Sequence, residues 1–106
     1  MTLDELIEFI KKEDHRLREH YGNPPKERRI LSRTVKLMEE NGELAEEILA
    51  LLVDQRNSKL GKRRNLSEEF ADVIITTLLL AESAEVDIKD AIIRKIQEID
   101  KRNYSK

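Results

Sequence analysis

The chain has 106 residues, of which 40% are charged and 4% aromatic, with a formal net charge of −2 and no cysteine. This length fits one domain, residues 1–106, with a modest core. The near-balanced charge provides no global field to attract nucleic acid or an anionic membrane, and the absence of cysteine excludes disulfide and thiolate chemistry.

Helix formers dominate, which points to an all-α fold rather than a sheet protein, and the long apolar periodic segments argue against disorder. Thr2 can cap a first helix, with Glu5 three residues on completing a capping box. Leu3, Leu6, Ile7, Ile10 and Leu17 give that helix an apolar stripe, and Tyr21-Gly22-Asn23-Pro24-Pro25 ends it. A second helix is expected from about Lys26 into the mid-fifties, with Leu31, Val35, Leu37, Met38, Leu44, Ala45, Ile48, Leu49 and Leu52 as its apolar face.

Asn57 to Leu66 reads as a polar, basic loop containing Lys62-Arg63-Arg64, and Ser67 as the N-cap of a third helix. The third helix is apolar on nearly every side and is expected to be central and buried. A fourth helix follows from about Ile88 to Arg102. Four helices of unequal length with one buried all round make a poor monomer, so a homodimer or homotetramer is expected, with the central helices facing across the symmetry axis. The N-terminus lacks the basic and apolar regions of a signal peptide. The longest nearly uncharged run, Phe70 to Ala81, is too short to span a bilayer. These features predict a soluble, cytoplasmic protein with no membrane partner.

Two acidic patterns stand out. Glu39-Glu40-Asn41-Gly42-Glu43 and Glu68-Glu69-Phe70-Ala71-Asp72 share the spacing E-E-x-x-(E/D). Residues three or four apart lie on one helix face, so Glu40, Glu43 and Glu47 point one way, with Lys36 one turn earlier. Glu69, Asp72 and Thr76 likewise share a face. Packed antiparallel, the two helices would bring two carboxylates each to one point, an all-oxygen environment for a hard cation such as Mg²⁺ or Mn²⁺. Taken alone, E-E-x-x-E describes many solvated helix faces. The repetition, the apolar setting of the second copy and the single connecting loop favour a metal site. Gly42 costs roughly 1 kcal/mol against Ala in a helix, which makes sense if a helix or ligand comes close. Zinc and di-iron sites fit worse, because the two histidines, His15 and His20, both fall on the first helix without a Glu three residues earlier.

The run Lys36 to Glu47, followed by Glu68-Glu69-Phe70-Ala71-Asp72-Val73, resembles the MazG-like all-α nucleoside triphosphate pyrophosphohydrolases, a superfamily that includes the dimeric dUTPases and dCTP pyrophosphatases. The resemblance covers roughly Arg33 to Arg102. It implies Mg²⁺ ligands at Glu40, Glu43, Glu69 and Asp72, with Glu39 acting through water or as a base. It also implies cleavage of a (deoxy)nucleoside triphosphate between the α- and β-phosphates, and a dimer or dimer of dimers. Lys95 matches the lysine such proteins tend to carry on the last helix. Ile99 departs from the Asn or Arg expected four residues later, with Arg102 or Asn103 one turn on as substitutes.

On this reading Glu39 or Glu43 serves as general base. Lys36, Lys95 and Arg102 bind phosphate, with the Lys62-Arg63-Arg64 loop as a further source of cations. Lys36 can equally pair with Glu40 at i,i+4. Phe9, Tyr21 and Tyr104 are the aromatics open to a base, with Phe9 better suited to the core. Two alternatives remain. One is a non-catalytic helical module that binds a protein partner, with scattered, solvated carboxylates. The other is a pyrophosphohydrolase acting on a non-nucleotide pyrophosphate such as a phosphoribosyl intermediate.

Overall fold

A computed structural model describes residues 1–54 and 63–104. Helix α1 spans Leu3–His20, α2 Lys26–Leu49 with a π-helical turn over Ala50–Asp54, α3 Arg63–Ser83 and α4 Ile88–Asp100, with no strand among the described residues. The capping box at the start of α1 is present: the Glu5 amide donates to Thr2 Oγ1 (3.1 Å) and the Thr2 amide donates to Glu5 Oε1 (2.7 Å). The turn that ends α1 places Gly22 at φ 77° and Asn23 at φ 56°, the left-handed region that suits these two residue types. Pro25 then stands at the N-cap of α2. Asp87 caps α4 by accepting from the Asp90 amide at 3.0 Å.

The start of α3 lies one turn upstream of the expected position. Arg63 to Leu66 are helical rather than loop, and Ser67 sits inside the helix instead of capping it. No Gly or Pro separates Arg63 from Ser67, and Arg and Leu are good helix formers, so nothing local stops the earlier start. Lys62 lies outside the described residues.

Helices α2 and α3 run antiparallel. Arg33 donates to the Leu79 carbonyl, while Glu40, two turns later on α2, meets Glu69, nearly three turns earlier on α3. Helix α1 crosses the other half of α3, with Lys11 at 3.5 Å from Glu82. The core at this crossing is small: Ile10, Leu78 and Leu79 are buried, with Leu6, Leu17, Ile75 and Ile88 packed against them.

A buried charged network ties the three helices together. Arg33 Nη1 donates to Asp14 Oδ1 at 2.6 Å and to the Leu79 carbonyl at 3.0 Å, while Arg18 stands 3.6 Å from Asp14 Oδ2. The pair bridges α1 and α2, and its third contact fixes α3.

Apolar surface remains uncovered where the sequence suggested burial. On α2, Leu31, Val35, Met38, Leu49 and Leu52 are exposed, and on α3 Phe70 and Ile74 are 48% and 54% exposed. Only the C-terminal half of α3 is core. The cause is geometric: α2 carries two apolar stripes about 100° apart, and α3 covers the one holding Leu37 and Leu44. Gly42 falls on the uncovered stripe with Ala45, and among the described residues no neighbour lies within 4 Å of where its Cβ would stand. The close approach expected at that glycine is not made among the described residues. The radius of gyration, 17.1 Å, exceeds the roughly 13 Å typical of a compact domain of this size. Helix α4 accounts for part of this spread, since it meets α1 and α3 only sparingly.

Candidate metal centre

The antiparallel pairing of α2 and α3 brings Glu40, Glu43 and Glu69 together. One carboxylate oxygen from each lies within 4.8 Å of the other two, a separation one cation can span. Glu40 comes from the stripe of α2 that faces α3. It interrupts the apolar sequence Leu37, Glu40, Leu44 and is only 6% exposed.

The electrostatics of this cluster are unresolved within the chain. Among the described residues, the buried Oε2 atoms of both Glu40 and Glu69 have no hydrogen-bond partner. Burial pushes the Glu69 carboxyl up to about 7, and the charges of Glu43, Glu40 and Asp72 push in the same direction, as does its hydrogen bond with Glu43. Orphaned buried oxygens are costly. A hard divalent cation satisfies them and cancels the mutual repulsion together, so the donor set fits Mg²⁺ or Mn²⁺.

The remaining expected residues divide into three groups. Asp72 lies one turn beyond Glu69, exposed and outside the cluster of three, although its charge acts on Glu69. Glu39 is exposed on the rim, and its charge acts on Lys36. Lys36 Nζ stands 3.3 Å from Glu40 Oε1, and this hydrogen bond with Glu40 is the main reason its pKa is raised. Lys95 and Arg102 are not brought to the cluster. Both pair with Glu98 on α4, at 3.2 and 3.7 Å. His15 pairs with Glu19 on the surface (3.0 Å), and Phe9, Tyr21 and Tyr104 are exposed.

Asp14 and Arg33 were not anticipated, yet a signal for them is present in the sequence. Asp14 lies four residues after Ile10 and three before Leu17, and Arg33 three after Ile30 and four before Leu37. A charged residue in line with an apolar stripe has to be neutralised when that stripe is covered.

The family model described as MazG nucleotide pyrophosphohydrolase domain matches residues 29–104, which is more than half of the chain. The match spans α2, α3 and α4, including both acidic motifs. No curated protein and no solved structure matches.

Proposed function

From the premise that the chain belongs to the MazG nucleotide pyrophosphohydrolase family, we propose that it hydrolyses a (deoxy)nucleoside triphosphate between the α- and β-phosphates. The products are a monophosphate and pyrophosphate, the cofactor is Mg²⁺, and the role is nucleotide-pool housecleaning in the cytoplasm. One observation carries this reading: Glu40, Glu43 and Glu69 converge, and two of their buried oxygens lack a partner among the described residues. A protein-binding module would leave these carboxylates scattered and solvated. No helix among the described residues is long and apolar enough to cross a membrane, in keeping with a soluble substrate.

In the proposed site Glu40, Glu43 and Glu69 would hold the cation, and Asp72, one turn beyond Glu69, would be the fourth carboxylate available to it. A bound Mg²⁺ supplies charge neutralisation on phosphate oxygens and activation of water. Glu39, on the rim, takes the proton from the attacking water, with Glu43 as the other carboxylate within reach of this role. The oxygen of that water bonds to phosphorus as the bridge between the α- and β-phosphates breaks, and the electron pair leaves with pyrophosphate. Lys36 turns from Glu40 to a phosphate oxygen, which a four-carbon stem allows without backbone movement. Lys95 and Arg102 are assigned to the leaving pyrophosphate, where cations stabilise the growing charge.

The test is product analysis with Mg²⁺ across a panel of canonical and modified nucleoside triphosphates. Pyrophosphate and monophosphate from at least one of them are expected. Release of orthophosphate and a diphosphate, or no turnover of any triphosphate, would overturn the assignment.

A further inference from the structure

Three hydroxyls on the helices turn back on their own backbone. Thr34 donates to the Ile30 carbonyl and Thr77 to the Val73 carbonyl, both at 2.7 Å, and Ser83 donates to the Leu80 carbonyl at 2.8 Å. Thr76 differs. It is only 9% exposed, yet its hydroxyl makes no hydrogen bond among the described residues. The buried side-chain atoms sealed from solvent without a partner belong to Arg18, Arg29, Glu40 and Glu69, so the Thr76 hydroxyl keeps an opening through the little surface its residue shows. Packing alone does not call for a hydroxyl here. Valine has the same shape, and an unpaired hydroxyl in an apolar helix is costly.

Its position connects it to the acidic cluster. Thr76 lies one turn beyond Asp72 and two turns beyond Glu69, on the face of α3 that carries both, about 6 Å and 10 Å along the helix axis. On α2, Lys36 stands between Arg33, which reaches the Leu79 carbonyl, and Glu40, which meets Glu69. Antiparallel pairing therefore sets Lys36 across the seam from the stretch of α3 that holds Thr76. Three residues past Thr76, at Leu79, the Arg33–Asp14 pair closes that seam. Between the cluster and this closure, α2 offers an ammonium and α3 an unpaired hydroxyl. Two donors on opposite walls suit an anionic oxygen. We propose that Thr76 is a substrate-binding residue, whose hydroxyl donates to the phosphate oxygen that Lys36 reaches from α2. The hydroxyl gives up no bond within the fold to do so, and it gains a charge-assisted one when the phosphate arrives.

This inference rests on the hydrolase reading for the identity of the substrate, but its test needs no turnover. The probe is inorganic tripolyphosphate, which has phosphate oxygens and neither sugar nor base, titrated calorimetrically into the full chain with Mn²⁺. Wild type is expected to bind it, Thr76→Val to bind it roughly tenfold more weakly, and Thr76→Ser to stay near wild type. The affinity of each variant for Mn²⁺ alone is expected to match wild type, and Thr76→Val to melt at the same temperature or higher. A Thr76→Val chain that melts well below wild type would make the hydroxyl structural and overturn the proposal. Tripolyphosphate affinity equal in Thr76→Val and wild type overturns it as well. In that case, a loss seen only with nucleoside triphosphates assigns the hydroxyl to the sugar instead. Failure of wild type to bind tripolyphosphate also overturns it. If wild type binds tripolyphosphate but turns over no nucleoside triphosphate, the hydrolase reading fails and the calorimetry alone decides the role of Thr76.

Discussion

Asp14 and Glu40 are buried to nearly the same depth, 7% and 6% exposed, on helices that both pack against α3. Their surroundings differ. Asp14 has Arg33 at 2.6 Å and Arg18 at 3.6 Å, so its charge is balanced within the fold. Glu40 has one exposed lysine on one oxygen and, among the described residues, no partner on the other, with Glu43 and Glu69 crowding in. Two arginines neutralise Asp14 within the fold, whereas Glu40, Glu43 and Glu69 face one another, and that difference is what supports the proposed cation site. Burial alone does not separate a structural charge from a functional one; the presence or absence of a partner does.

The sharpest way to break this contrast is to neutralise each carboxylate in turn. Glu40→Gln or Asp72→Asn is expected to abolish pyrophosphate release while the melting temperature holds or rises, because repulsion is relieved and no packing is lost. Retained turnover in either variant, at equal Mg²⁺, would remove that residue from the ligand set. Asp14→Ala is expected to do the opposite. It leaves Arg33 buried with the Leu79 carbonyl but no counter-charge, which costs about 3 kcal/mol or more in urea unfolding, with activity kept below the transition. An unchanged midpoint would show that the network is not what joins α1 to α2.

Titration sharpens the same comparison. The Glu69 carboxyl sits at about 7 against an ordinary 4.5, raised first by burial and then by neighbouring carboxylates. A raised acid holds its proton in the folded chain at a pH where the unfolded chain has released it. This group therefore favours the fold below about 4.5, and its contribution is lost as pH rises through about 7. The metal-free protein is expected to melt lower as pH rises across that window. The gain from millimolar Mg²⁺ is expected to grow over the same range, since the cation stops competing with a proton. Thermal melts with and without Mg²⁺ check this, and Glu69→Gln should flatten both trends. The smallest effect is expected for Lys36→Met. The ion pair it removes has one exposed partner, and such pairs contribute about 0.5 kcal/mol, so stability barely moves. A fall in apparent nucleotide affinity without loss of fold would mark its turn toward phosphate.

Much of this was legible in the residues. The Thr2–Glu5 box, the Gly22-Asn23-Pro24-Pro25 stop, the all-α class and the resemblance carried by the two acidic motifs follow from local spacing, which a single sequence records well. Antiparallel helices joined by one loop lead to an expected convergence of Glu40, Glu43, Glu69 and Asp72; the first three meet, and Asp72 stays exposed outside them. The start of α3 was misplaced because Ser67 looks like a cap when the preceding basic residues are read as loop. The exposed stripe of Leu31, Val35 and Met38 reads as core in the sequence, because periodicity shows that a face is apolar but not what covers it. The Asp14–Arg33 pair was missed for a related reason. Each residue interrupts a stripe, and only the packing of both α1 and α2 on α3 makes the interruptions meet.

Glu40, Glu43 and Glu69 are proposed to form one divalent-cation site. Electron paramagnetic resonance of Mn²⁺ titrated with the protein measures this directly, since the sharp signal of the free aqueous ion disappears on binding. Wild type is expected to extinguish that signal saturably and in proportion to the chain, while Glu40→Gln, equally folded, leaves it intact. A free-ion signal unchanged by wild type, or extinguished equally by both proteins, would contradict the account.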